Sequence, residues 1–255
     1  MLDTTQTTAA RWPRIAVVSA GLSDPSSTRL LADRLTRATT SALAERGTGD
    51  GETPADVTVI ELRPLAAAIS SALVTFTFAP ELQRAVDTVA HADALIAVSP
   101  TFKASYSGLF KSFFDLLDDE ALVGTPVLLG ATGGTTRHSL MIDTAMRPLF
   151  AYAKAATIPT AVFAATDDWG SIEGEADDGT PALATRIEAA GQALAAALPA
   201  SPAPRPATDG TSTSGRVAAQ PEAATSRMDG RDGLTGTLYD NDLEVTDFAT
   251  LLARI

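Results

Sequence analysis

Arg14-Ile15-Ala16-Val17-Val18-Ser19-Ala20 runs straight into Gly21-Leu22-Ser23-Asp24-Pro25-Ser26-Ser27-Thr28-Arg29, and this junction decides the fold. The first seven residues are largely apolar and β-branched, without the alternation of a half-exposed strand, which predicts a strand buried on both faces. Glycine, serine and proline then turn the run into a loop. From Thr28 onward Leu30, Leu31, Leu35, Ala38, Ala42 and Leu43 recur at three- and four-residue spacing, so an amphipathic helix is expected to end near Gly47. Strand, loop and helix in that order form the first half of a βαβ unit.

The same alternation continues along the chain. Strands are expected over 57–62, 94–98, 126–130 and 157–165, and helices over 81–91, 107–117, 138–153 and 181–198. Five short apolar strands alternating with helices imply a five-stranded parallel sheet with helices on both faces. Right-handed crossovers make this an α/β three-layer sandwich, doubly wound.

Residues 14–198 are thus expected to form one folded domain. Residues 1–13 are polar and Thr-rich, lack a signal-peptide pattern and read as a flexible N-terminus. Residues 199–236 are mostly Pro, Ala, Thr, Ser and Gly, too poor in large apolar side chains to offset their ordering entropy, and read as a disordered linker. Residues 237–255 regain apolar positions, with Phe248, Leu251, Leu252 and Ile255 on one face of a short helix. Such a helix is too short to stand alone and is expected to dock on its own chain, a second subunit or another partner.

Composition narrows the chemistry. The chain has 255 residues, of which 48 are alanine, and no cysteine, so disulfides, thiolate metal sites and a cysteine nucleophile are excluded. His91 and His138 are the two histidines, which speaks against a metal centre built on several imidazoles, and no metal is expected. The formal charge of −12, without a basic patch, argues against nucleic acid. No run approaches the ~20 apolar residues of a membrane span, so a cytoplasmic protein is expected.

Ligands of an open parallel sheet bind beyond the carboxyl ends of its strands. Three loops fall there. The first carries the hydroxyls of Ser23, Ser26, Ser27 and Thr28 next to a helix N-terminus, a setting suited to a phosphomonoester; the plainer alternative is a helix cap from Ser27 or Thr28. The second, Ser99-Pro100-Thr101-Phe102-Lys103-Ala104-Ser105-Tyr106-Ser107-Gly108, offers a ring, a cation and hydroxyls at one sheet edge, where a flat heteroaromatic ring could lie. The third, Ala131-Thr132-Gly133-Gly134-Thr135-Thr136-Arg137-His138, bares its backbone at two glycines. Neither a dinucleotide-binding glycine fingerprint nor a P-loop is present.

The run from Ser99 to Lys111, the Ala131-Thr132-Gly133-Gly134-Thr135 segment with His138 after it, and the Ser-rich first loop closely resemble the NADPH-dependent FMN reductase family, nearest the branch that supplies reduced flavin to two-component monooxygenases. The resemblance spans about residues 14–198. It implies a flavodoxin-like sandwich, a homodimer or homotetramer, with FMN at the three loops and NADPH or NADH as hydride donor. Carried over by position, it implies that Ser23, Ser26, Ser27 and Thr28 hold the phosphate, with Arg29 a charge partner. Pro100, Thr101, Phe102, Lys103 and Ser105 would line the ribityl chain and ring edge, while Thr132, Gly133, Gly134 and Thr135 would meet the pyrimidine side through their backbone. Lys103, Arg137 and His138 are candidates for the dinucleotide phosphates, against the alternatives of a solvated lysine and helix-start packing residues.

No catalytic side chain is singled out, because hydride moves between cofactors, little acid–base machinery is needed, and the protein supplies position and electrostatics. The chain departs from the family in two places. Many relatives carry an arginine early in the first loop, where this chain has Gly21-Leu22-Ser23-Asp24 and Asp24 would oppose a dianion unless it points away, and Thr144 lies near a tyrosine position of alkanesulfonate-linked relatives. Two other activities fit the same resemblance: a reductase of quinones, azo compounds or metal oxyanions that keeps FMN bound, and a non-enzymatic flavin-binding electron carrier. Outside the loops, His91 is expected to cap a helix C-terminus. Trp169 would cover the flavin or fill a subunit interface, and Tyr106 would pack in the core or beside the flavin.

Overall fold

The structure is a computed structural model that describes residues 12–46, 55–169 and 181–198. The chain divides into units Met1–Gly215 and Arg216–Ile255, and all described residues belong to the first. The expectations for residues 1–11, 199–236 and 237–255 lie outside the described residues.

The elements are β1 (Arg14–Ser19), α1 (Ser27–Arg46), β2 (Asp56–Glu61), α2 (Ala66–Thr75), α3 (Pro80–Ala90), β3 (Ala94–Phe102), β4 (Ser105–Tyr106), α4 (Gly108–Phe114), β5 (Pro126–Gly133), α5 (Arg147–Tyr152), β6 (Ala156–Thr157), β7 (Val162–Ala165) and α6 (Leu183–Ala197). The sheet runs β2-β1-β3-β5-β6, with β7 also on β5 and β4 folded back on β3. Every pairing is parallel except β3 with β4. Because β6 and β7 pair with opposite ends of β5, they share the fifth position of a flavodoxin-like 2-1-3-4-5 order.

The uninterrupted apolar character of β1 follows from its place between two layers. Ile15 and Val17 join the core with Leu31 and Leu35 of α1 and Ile187 and Leu194 of α6. Ala16 and Val18 face the other core, with Leu82 and Val86 of α3 and Phe110, Phe113 and Phe150. Edge strand β2 instead alternates, exposing Asp56, Thr58 and Glu61. On the α1–α6 side the helices approach so closely that a Cβ on Gly191 would stand 2.6 Å from the Ala38 carbonyl carbon.

The structure corrects the expected elements at four places. Helix α2 was not expected: it buries only Ile69 and Ala72, too few large residues to mark a face. Strand β3 runs four residues past Val98, because β4 turns back to pair Thr101 with Tyr106 and Phe102 with Ser105. The fifth strand is split at Ile158 and Pro159, since proline has no N–H for the ladder. The carbonyls of Ile158 and Pro159 instead accept from the Arg147 guanidinium. The helix expected over 138–153 is a 3₁₀ turn at Thr136–His138, a π-helical stretch at Ile142–Met146 and then α5. Pro148 accounts for part of that change: its ring cannot sit against the carbonyl four residues back in a regular helix, and a π turn widens the spiral there.

Candidate functional site

The carboxyl ends of β1, β3 and β5 lie side by side and deliver the three loops to one edge of the sheet. The first loop is drawn tightly over the start of α1. Ser26 Oγ accepts from the Arg29 amide at 3.2 Å and caps the helix, one residue earlier than the sequence alternative placed the cap. A Cβ on Gly21 would lie 2.0 Å from that Oγ, so a side chain there would displace the capping hydroxyl. Thr28 is buried and its Oγ1 lies 2.8 Å from Thr132 Oγ1, joining the first loop to the third. Two of the four hydroxyls thus hold protein structure, while Ser23 and Ser27 are exposed.

The second loop is a hairpin. Ser99 Oγ accepts from the Ser107 amide at 3.0 Å and donates to the Pro100 carbonyl, and Ser107 Oγ in turn accepts from the Phe110 amide to cap α4. Between Phe102 and Ser105 the chain reverses through Lys103 and Ala104, both left-handed at φ 50° and 62°. This is the backbone of a two-residue turn that favours glycine or asparagine. It lifts the Phe102 ring and Lys103 into solvent, and leaves Pro100, Thr101 and Ser105 half-buried beneath. Tyr106 is half-buried and packs against the core, its ring tilted on that of Phe110 with 5.6 Å between centroids.

In the third loop Thr132 and Gly133 still belong to β5. A Cβ on Gly133 would meet the Phe163 ring at 2.8 Å and stand 3.5 Å from Thr101 Oγ1, a buried hydroxyl without a hydrogen-bond partner. Gly134 has open space around it, Thr135 is extended, and Arg137 and His138 lie exposed in the 3₁₀ turn. The loops therefore bring together Ser23, Ser27, Thr28, Thr101, Thr132, Gly133 and Gly134 along one edge, with Lys103 on the hairpin tip.

Charge at the first loop differs from the sequence expectation. Arg29 donates Nε to Asp33 at 2.8 Å and pairs with Glu61, contacts that raise its pKa, the hydrogen bond to Asp33 foremost. Asp24 faces Arg63, whose guanidinium lies 3.4 Å from its carboxylate. Sequence reasoning missed Glu61 and Arg63. They end and follow β2, and the pairing of Glu61 with Ser19 sets them beside the first loop. That juxtaposition was readable from strand order alone.

Trp169 lies against the α1–α6 core with Arg34 over its ring at 5.1 Å. Asp168 accepts from the Ala165 amide and pairs with Arg186, fixing the turn after β7. His91 caps α3, its Nδ1 donating to the Asp87 carbonyl at 2.8 Å.

Hydroxyls at a helix N-terminus, peptide groups bared by glycine and an unsatisfied Thr101 hydroxyl suit a phosphorylated planar heterocycle better than a metal or a nucleophilic substrate. Fold and topology together define a flavodoxin-like protein whose three candidate loops follow the carboxyl ends of β1, β3 and β5. A family model described as NADPH-dependent FMN reductase matches residues 13–170, and the chain belongs to that family. It is 41% identical over 156 residues to an FMN reductase (NADPH) of Pseudomonas aeruginosa, covering 61% of this chain and 78% of that protein. It is 39% identical over 154 residues to the NADH-dependent FMN reductase SfnF of Pseudomonas putida, covering 60% and 78%. A solved oxidoreductase from Corynebacterium diphtheriae superposes with a TM-score of 0.66 at 41% identity, over 73% of this chain and 97% of that one.

Proposed function

We propose that this chain is an NAD(P)H-dependent FMN reductase, its reductase domain spanning residues 14–198. The observation that carries the reading is the convergence of three loops, the first and third joined by the buried Thr28–Thr132 hydrogen bond, at the strand ends where this family's flavin belongs. FMN supplies the hydride acceptor when bound, and NADPH or NADH supplies the hydride. The residues of this chain position and shield. Ser23, Ser27 and the first-turn amides of α1 receive the phosphate, with Ser26 and Thr28 shaping the loop beneath them. Pro100, Thr101, Phe102, Lys103 and Ser105 flank the ribityl chain and ring edge. The peptide groups of Thr132, Gly133, Gly134 and Thr135 face the pyrimidine side, where fixed donors stabilise negative charge. Lys103, Arg137 and His138 stand exposed at the rim, suited to the phosphates of the dinucleotide.

A homodimer or homotetramer belongs to this reading and rests on the resemblance to the family. Among the described residues no helix is long and apolar enough to cross a membrane, in keeping with a cytoplasmic enzyme. We further propose that the reduced flavin leaves for a monooxygenase, the role of the branch this sequence resembles.

The test is direct: record the visible spectrum of the purified protein, then follow NADPH and NADH oxidation with free FMN, FAD, riboflavin and a quinone. A nearly colourless protein with flavin-dependent turnover supports the proposal. A yellow protein that reduces quinone and holds its flavin would move it to a bound-FMN reductase, and absence of both flavin binding and turnover would sink it.

A further inference from the structure

We propose that the phosphate end of this site carries no net positive charge, so that the protein takes riboflavin almost as readily as FMN: its substrate is the isoalloxazine ring, with or without a phosphate. This deepens the proposed function and rests on it.

Among the described residues, the first loop and its surroundings hold two guanidinium groups against three carboxylates. Arg29 is shared between Asp33 and Glu61, and Arg63 is turned toward Asp24, which itself sits between the exposed Ser23 and the cap residue Ser26. Neither cation is left for a ligand unless an existing ion pair opens. An incoming phosphate dianion would meet the N-terminus of α1 and the hydroxyls of Ser23 and Ser27, beside a cluster with one surplus negative charge. An exposed helix N-terminus favours an anion by a modest amount, about two- to fivefold in affinity. A free guanidinium gripping the phosphate through two charge-assisted hydrogen bonds would instead raise the preference to tenfold or more. The ring end is built separately, from the β3–β4 hairpin, Thr101 and the peptide groups around Gly133, and none of these needs the phosphate. The overall charge of −12 adds no general attraction for a dianion.

The experiment titrates the full-length chain, freed of flavin, with FMN and with riboflavin, and reads the dissociation constants from flavin fluorescence. For the unmodified protein the two constants are expected to lie within about two- to fivefold of each other. In Asp24→Asn, Arg63 loses its partner and becomes available, so FMN should bind about tenfold tighter while riboflavin is unchanged. A gain in affinity cannot come from a misfolded variant. An FMN preference of tenfold or more in the unmodified protein overturns the inference and leaves the FMN reductase reading standing. Unchanged FMN affinity in Asp24→Asn overturns it as well. Binding of neither flavin overturns the reductase reading and this inference with it.

Discussion

Thr28 and Thr132, 104 residues apart in sequence, meet through a 2.8 Å hydroxyl–hydroxyl hydrogen bond, and both are nearly inaccessible to solvent. One opens α1 and the other ends β5, so a single polar contact fixes the helix N-terminus against the glycine loop. Both hydroxyls are buried, and each satisfies the other.

Removing one of the two should therefore cost more than removing both would suggest. Thr28→Val leaves Thr132 buried and unpaired, and Thr132→Val does the converse; each is expected to lower unfolding free energy by about 1–3 kcal/mol. The double variant should be clearly less destabilised than the sum of the two. Urea unfolding of the four proteins measures the coupling, and strict additivity would show that the contact contributes nothing.

Gly191 tests the opposite layer. Its position against Ala38 and Thr39 of α1 leaves no room for a methyl group, because the nearest atoms are two backbone atoms and the Ala38 Cβ, none of which can swing aside. Gly191→Ala should destabilise by about 1–3 kcal/mol despite the better helix propensity of alanine. A higher unfolding temperature for Gly191→Ala would contradict the close α1–α6 packing.

The sheet was legible in the sequence because its strands are buried on both faces: the apolar runs at β1, β3 and β5 have no competing explanation. The helix period exposed α1 and α3 in the same way. What escaped was held by few contacts or by geometry without a periodic signature. Helix α2 buries two residues, the β3–β4 hairpin turns on left-handed Lys103 and Ala104 instead of glycine, and the fifth strand breaks where Arg147 replaces ladder hydrogen bonds. At the site, the loops were readable as loops. The diversion of Arg29 had its signals, Asp33 one helical turn away on α1 and Glu61 at the end of the strand beside β1, but a reading confined to the loop's own residues does not combine them.

The hairpin tip holds strain that a substitution can release. Ala104 sits at φ 62°, where a Cβ crowds the following carbonyl at a cost of roughly 1–2 kcal/mol. Ala104→Gly removes that crowding and gives back part of the gain through the greater freedom of an unfolded glycine, about 0.4–1 kcal/mol. A net stabilisation of up to about 1 kcal/mol is expected, and Ala104→Val should lower stability by at least as much. Denaturant midpoints of the three proteins decide the matter; a destabilised glycine variant would argue against a left-handed residue at the tip.

Ser27 offers the sharpest test of where the phosphate lies. It is exposed at the first position of α1, so Ser27→Asp places a carboxylate where the helix dipole welcomes one, and the fold should be unharmed or slightly more stable. That same carboxylate would stand within a few ångströms of a bound phosphate. One charge about 5 Å from a dianion in a water-like dielectric repels it by roughly 1–2 kcal/mol, on the order of tenfold in affinity. FMN binding to Ser27→Asp should therefore weaken about tenfold, while riboflavin, which has no phosphate, should bind as before. The two flavins share every ring contact, so an equal loss for both would remove the phosphate from the N-terminus of α1.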